Sequence, residues 1–533
     1  TRQEILNRHW KQIQSEDELL LLGQGTDEGA YLSEGERESH LHIIGAPGEG
    51  KSKFLEYLVR HDIDRLASGD ERACGLCLID PSAQGDTIEK ILAYCAEIDF
   101  QKVLLIDPYR LRTHGKVAPI NPLNYNQSQI PDSVSSLMEA FRVLFDVKDP
   151  SKTAILETYL PALFSLLHHG KFTLHDAIYF TSFDDFDSFR HREFIFEKLK
   201  NNPYVQKDLT DILGAFKNEP RYREFGSTVR RLNTLYRSPA LDLMLSHHTG
   251  VSFTKLISDG WVILVNVSTD EGLDVLQSRL LATIVINQII SAIERLRRNG
   301  YKKPYYLYID EAGEYATRKV ARILDLKRKI GLRFILAHQF PGQFEDQRVK
   351  QSVENNTKLK AAFYIANALE REKVIKLLNY GGEITDRDIV YALSSQRKQE
   401  MVWRSGKDSP RVVKVPDVPN SSGDVKEFLV KLFKQPWYYT PKQIQEDNAK
   451  RFEGMDTIRF ERAAKPNRKA GGKSSEPKRG HGVPEPEKAG KGKTGTGDTK
   501  AKPRRTWKDR FLEIDERQKS AAAGESKARD DSQ

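Results

Sequence analysis

The 533-residue sequence predicts an α/β fold: a mostly parallel sheet, interrupted by an all-helical insertion and followed by a basic tail. Three observations carry this. Short apolar runs that read as buried strands alternate with helical segments across short links, the grammar of a parallel sheet. That grammar stops near residue 131 and returns at Trp261, and the stretch from about Pro131 to Pro239 has helical spacing and no strong strand. Residues 464–505 are dominated by Lys, Gly, Pro and Ser, too polar to bury a core, and are expected to be disordered.

Composition narrows the function classes. The length allows about three domains. With 38% hydrophobic and 30% charged residues, the chain has material for a core and a polar surface. Three cysteines exclude a disulfide scaffold. There is no secretory signal, and no apolar run near roughly 18–20 residues is visible. The chain does not begin with Met, so an anchor before Thr1 stays open. The net charge of +9 is unevenly placed: residues 464–533 hold 19 Lys/Arg against 11 Asp/Glu, which leaves the body almost neutral. The basic pI therefore does not by itself make the folded part a nucleic-acid binder.

The elements follow in order. Residues 1–30 read as a polar helix, over 4–22, running into a Gly-containing loop. The first half of the sheet domain spans 31–130. Its first strand, LHII at 41–44, enters GAPGEGKS. The helix after it presents Phe54, Leu55, Leu58 and Val59 on one face. CGLCLID then ends at Asp80 and KVLLID at Asp107. The insertion, 131–245, holds amphipathic stretches such as SVSSLMEAFRVLF and AILETYLPALFSLLHHG. The second half, 246–395, runs WVILVNV, a long helix LLATIVINQIISAIERLRR, then YYLYIDE, RFILAHQ and KAAFYIA. An extension over 396–463 is strand-like and Pro-containing. The linker 464–505 leads to 506–533, where 507–519 suits a short helix. No internal repeat is found.

GAPGEGKS, at 45–52, fits G-x-x-x-x-G-K-[S/T] at every fixed position. Gly45, Gly48 and Gly50 let the backbone turn so that successive N–H groups face phosphate oxygens. The helix that follows aims its positive end at the same anion. Lys51 is placed to reach the β- and γ-phosphates of ATP, and the Ser52 hydroxyl to ligate Mg2+. The loop follows a strand and opens a helix, the context this chemistry requires.

YYLYIDE ends in two carboxylates. Asp310 suits the Mg2+ shell and Glu311 the polarisation of an attacking water. An isolated apolar run ending in Asp-Glu would read as a solvated strand end; the upstream phosphate loop changes that reading. RFILAHQ places His338 and Gln339 at the carboxyl edge of the sheet, where open α/β folds bind ligands. Gln339 is suited to sensing the γ-phosphate or orienting water; a capping or surface glutamine is the alternative. In the intervening helix KVARILDLKRKIG, Val320, Ile323, Leu324 and Ile330 form the packed stripe, and Arg322 and Arg328 fall off it. On spacing alone these arginines form a solvated basic face. Asp80 fits either a part in the metal site or a turn cap. Cys74 and Cys77 read as core residues. The His168–His169 and His247–His248 pairs have no metal-ligand partners in sequence.

The ordered set LHIIGAPGEGKS, CLIDPSAQGD, APINPLN, STVRRLNTLYRSPAL, GWVILVNVS, YLYIDEAGEYA and LKRKIGLRFILAHQFPGQF resembles the FtsK/HerA superfamily of DNA-pumping ATPases. Within it, motif order and insertion resemble the type IV coupling proteins of conjugation, the TraG/TraD type. The resemblance covers roughly 30–395. YYTPKQI at 438–444 resembles a short element that follows the core in some of these ATPases. The resemblance implies a RecA-like P-loop core, a hexameric ring, ATP and Mg2+ between subunits, and DNA moved through a central pore. It implies Lys51 and Ser52 as phosphate and Mg2+ ligands, Asp310 and Glu311 as the Walker B pair, Arg328 as the trans-acting arginine and Gln339 as the strand-end glutamine.

The family's usual N-terminal transmembrane helices are not visible. The resemblance thus implies a cytoplasmic protein recruited to the inner face of the inner membrane, through partners such as a relaxase or secretion-channel proteins or through a missing anchor. Two alternatives remain: a soluble HerA-like ATPase of DNA repair or phage defence, and an ATP-switched scaffold that binds DNA or protein without moving it. The tail suits either phosphate contacts with DNA or a solubilising linker.

Overall fold

The computed structural model describes residues 20–24, 29–37, 39–123, 130–145, 150–180, 185–217, 231–270, 272–326, 330–378, 387–395, 399–406 and 408–457. The described strands are β1 (Leu20–Gln24), β2 (Gly29–Leu32), β3 (Leu41–Ile44), β4 (Leu76–Asp80), β5 (Val103–Ile106), β6 (Val262–Asn266), β7 (Tyr305–Ile309), β8 (Leu332–His338), β9 (Leu359–Ala362), β10 (Glu400–Ser405) and β11 (Arg411–Lys414). Every residue of β3 to β9 is buried, His42, Arg333 and Lys360 included, as expected when both faces of a sheet are covered.

All eleven strands join one sheet in the order β2-β1-β11-β10-β9-β3-β8-β7-β4-β6-β5. The seven from β9 to β5 are parallel. The four at the other end pair antiparallel. The loop strand β3 and the acidic strand β7 are not neighbours; β8 lies between them and pairs with both.

Residues 20–24 correct the expectation of a helix reaching residue 22: they form a strand. Leu20 and Leu22, two apart, are both buried on the sheet, and Leu20 pairs with Leu32. A period of two, set by a partner strand, overrides local helix propensity. The rest of 1–19 lies outside the described residues, as do the tail 464–505 and the segment 507–519. The strand-like extension after 396 supplies β10 and β11 to the same sheet.

Eight helices matter below. They are α1 (Lys51–Ser68), α2 (Asp86–Glu97), α3 (Ile130–Phe145), α4 (Pro150–His169), α5 (Phe186–Leu199), α6 (Gln206–Lys217), α7 (Pro239–Ser246) and α8 (Val275–Arg298). Among the described residues between 130 and 246, α3 to α7 and short 3-10 turns are the regular structure, with no strand. Asp185 caps α5 by accepting the Ser188 N–H (2.8 Å), and Ser238 caps α7, which opens on Pro239.

Helix α8 starts with a capping box, Asp274 with Gln277. It is long and apolar enough to cross a membrane by length and composition, which corrects the expectation that no apolar run approaches that size. Its most apolar window is 83% buried, so it is a core helix, set against α3 of the insertion.

Three further helices are α9 (Arg318–Asp325), between β7 and β8, and, in the extension, α10 (Val425–Leu432) and α11 (Pro441–Arg451). Between α10 and α11 the Tyr438 hydroxyl accepts the Leu105 N–H from the edge strand β5 (2.8 Å), and Tyr439 pairs with Val117. At the end of α11, Arg451 donates to Ser246 O (2.9 Å), Asp447, Thr173 and Asp176. Phe452 packs among Phe172, Tyr179, His191 and Phe194. The extension therefore covers the sheet edge and fastens to the insertion.

Candidate active site

The turn after β3 is shaped by three glycines. Gly45 N–H donates to His338 O (3.2 Å), and a Cβ at Gly45 would lie 2.5 Å from Phe363 Cβ, so only glycine fits there. Gly48 (φ 81°) and Gly50 (φ 113°) take left-handed conformations that side chains rarely adopt. The chain thereby delivers Lys51 and Ser52 to the first turn of α1.

Lys51 is buried, and its ammonium makes one hydrogen bond among the described residues, to Ala46 O (3.1 Å). Burial lowers its pKa; the carboxylates of Asp310, Glu311 and Glu49 act the other way. An ammonium with donors to spare, beside a turn of left-handed glycines at a helix N-terminus, fits a bound polyphosphate.

Strand β7 delivers the carboxylates. The Ser52 hydroxyl donates to Asp310 Oδ2 at 3.3 Å, across 258 positions of sequence. Asp310 is pushed up to about 7 by burial, with the Asp80 and Glu311 charges adding to it. An unpaid negative charge beside a hydroxyl oxygen fits a hydrated divalent cation. The Glu311 N–H donates to Asp310 Oδ1 (2.9 Å). Glu311 has φ 49°, a left-handed conformation at the turn into the next helix.

The Glu311 carboxylate is held on both oxygens. Gln339 Nε2 donates to Oε1 (2.9 Å) and Gln343 Nε2 donates to Oε2 (2.8 Å). Gln339, one residue past β8, thus joins the acidic pair. Gln343 was missed by sequence reasoning; its one signal is a second glutamine four positions after the first, in HQFPGQF.

Other sequence candidates separate. Asp80 accepts N–H groups from Ser82 (2.9 Å) and Ile88 (3.2 Å), so it caps its turn, while its charge still reaches Asp310. Asp107 accepts from Tyr109, Arg110 and Asn266. Cys74, Cys77 and Cys95 are buried and form no disulfide with one another. Helix α9 ends at Asp325, so Ile330 is not part of it; Val320, Ile323 and Leu324 are buried as expected. Arg322 is exposed, 3.8 Å from Glu294. Arg328 lies outside the described residues.

The sequence offered His247 and His248 no partner, but folding brings Asp447 to them, with ligand-type atoms within 4.8 Å of one another. These groups are already engaged. Asp447 Oδ2 accepts the His248 N–H (3.1 Å) and the Arg451 guanidinium (2.8 Å), and His247 Nδ1 accepts the Thr249 N–H (3.3 Å). A guanidinium on the carboxylate repels a second cation. The trio anchors α11 to the chain leaving the insertion.

A turn of left-handed glycines between β3 and α1, facing paired carboxylates one strand removed, defines a RecA-like P-loop fold. No protein-family model matches the sequence, and no curated protein matches it. Among solved structures the chain is similar to the bacterial conjugative coupling protein TrwB. The unbound monoclinic form is 15% identical with a TM-score of 0.55, covering 79% of this chain and 94% of that chain. TrwB with the non-hydrolysable GTP analogue GDPNP gives the same values. TrwB with ADP and Mg2+ gives 15% identity and a TM-score of 0.52, over 78% and 94%. At this identity the likeness establishes the fold.

Proposed function

We propose that the protein is an ATPase of the conjugative coupling type, which hydrolyses ATP at this site and uses it to move DNA. One observation carries the reading: Lys51 and Ser52, at the start of α1, meet Asp310 and Glu311, at the end of β7, in one pocket. The solved complexes of TrwB with ADP and Mg2+ and with a nucleotide analogue support it.

Each residue has a task. The loop N–H groups and Lys51 bind the β- and γ-phosphates. Ser52 and Asp310 hold Mg2+, which neutralises charge on the phosphate oxygens when bound. Glu311 orients the attacking water and takes its proton on a carboxylate oxygen. Gln339 sits at the end of the strand between loop and carboxylates, placed to report the γ-phosphate to Glu311. Arg328 would complete the site of a neighbouring subunit in a homo-hexameric ring. The ring would act at the inner face of the inner membrane, with a relaxase or secretion-channel proteins as partners.

The test is steady-state ATPase activity of the wild type, Lys51→Ala and Glu311→Gln, with and without DNA. The variants are expected to lose at least about a hundredfold in rate, and DNA to stimulate only the wild type. Equal rates in all three defeat the assignment. Activity indifferent to DNA leaves an ATPase that is not a DNA motor.

A further inference from the structure

We propose that Gln343 is a positioning residue that sets the Glu311 carboxylate and the Gln339 backbone in one frame. The proposal rests on the ATPase reading above and adds to it a residue that acts through Glu311 and Gln339.

The three side chains close a loop. Gln343 Nε2 donates to Glu311 Oε2 (2.8 Å), Gln343 Oε1 accepts the Gln339 N–H (3.0 Å), and Gln339 Nε2 donates to Glu311 Oε1 (2.9 Å). Both ends of the Gln343 amide are therefore used, one on the Glu311 carboxylate and one on the backbone that carries the neighbouring glutamine. Glu311 keeps one lone pair on each oxygen free for water. The carboxylate plane is fixed by two donors instead of one.

Gln343 is itself held. It ends the 3-10 turn Pro341–Gln343, and its N–H donates to Phe340 O (3.0 Å). Its stem lies against Gly313, where an added Cβ would be 2.6 Å from Gln343 Cγ. Gly313 follows Glu311 by two residues, so the turn that carries the acid also seats the residue that aims it. A carboxylate aimed through a packed amide loses accuracy, not affinity for nucleotide, when the amide is removed.

The test compares ATP turnover by wild type, Gln343→Met, Gln343→Glu and Gly313→Ala. Met keeps the stem and removes both amide functions. Glu keeps the acceptor for the Gln339 N–H but sets a second carboxylate against Glu311. We expect kcat to fall about tenfold in Gln343→Met and further in Gln343→Glu, with KM for ATP within about twofold. Gly313→Ala, which displaces the stem, should follow Gln343→Met. Wild-type kcat in Gln343→Met overturns the proposal. So does a reversed order, with the isosteric Glu variant nearer wild type, because packing alone would predict that order. A change confined to KM also overturns it. Absence of turnover in the wild type instead defeats the ATPase reading and takes this proposal with it.

Discussion

Glu311 is in a left-handed conformation that costs a non-glycine residue about 1–3 kcal/mol. The contacts around it hold it there: its N–H on Asp310 and its carboxylate between two glutamine amides. Burial acts on other single residues in opposite directions. Asp310 is raised, so the folded chain holds a proton that the unfolded chain has lost; its contribution to stability grows as pH falls from about 7 towards the ordinary carboxylate value. His40 is lowered to about 4 by burial, with the Arg333 charge adding to it, while its Nδ1 accepts the Phe334 N–H (3.1 Å). Below pH 6.5 the unfolded chain gains a proton that the folded chain refuses. His40 therefore costs nothing above pH 6.5 and destabilises progressively down to about 4. His40→Asn, which keeps an acceptor for Phe334, should resist acid better than the wild type by about 3 kcal/mol at pH 4 relative to pH 7.5. Urea unfolding at several pH values reads this difference directly, and parallel stability curves for the two proteins would refute it. Asp310 titrates alike in both and cancels.

At the scale of elements, the sheet shows which parts of the fold local sequence carries. Strands β3 to β9 were legible because each belongs to a short, mostly apolar run set between helical segments. β1 and β2 were not: Gln24 finds its partner at Lys414, and no local pattern announces a pairing some 390 positions away. The same holds in the site. The phosphate loop and the Asp310–Glu311 pair follow fixed spacing and were readable. Gln343 lies in a turn after a strand, where no periodicity marks it, and only folding brings it to Glu311. The edge of β5 depends on another such contact. Tyr438→Phe removes the acceptor of the Leu105 N–H and leaves a buried donor unmet, so the variant should lose about 1–3 kcal/mol in denaturant unfolding. An unchanged unfolding midpoint would mean that another group replaces the phenol.

Across the whole molecule, one guanidinium ties distant regions together. Arg451 reaches Ser246 and Asp447 with one nitrogen, and Thr173 and Asp176 with the other. Asp176 is fully buried, so removing its cation strands a charge. Arg451→Met should cost about 3–5 kcal/mol and release the extension from the insertion, seen as faster cleavage after residue 430 in limited proteolysis. A cleavage pattern like that of the wild type would show that Phe452 and its aromatic neighbours suffice.

The strand that ends at His338, just before Gln339, is laced to β3 on one flank and to β7 on the other. It cannot slip by even one residue without tearing both seams and moving every side chain to the opposite face of the sheet. The jaws of the pocket are therefore mounted on a common anvil. Any motion that accompanies the proposed turnover has to come from the loops beyond the strand tips, not from shear inside the sheet.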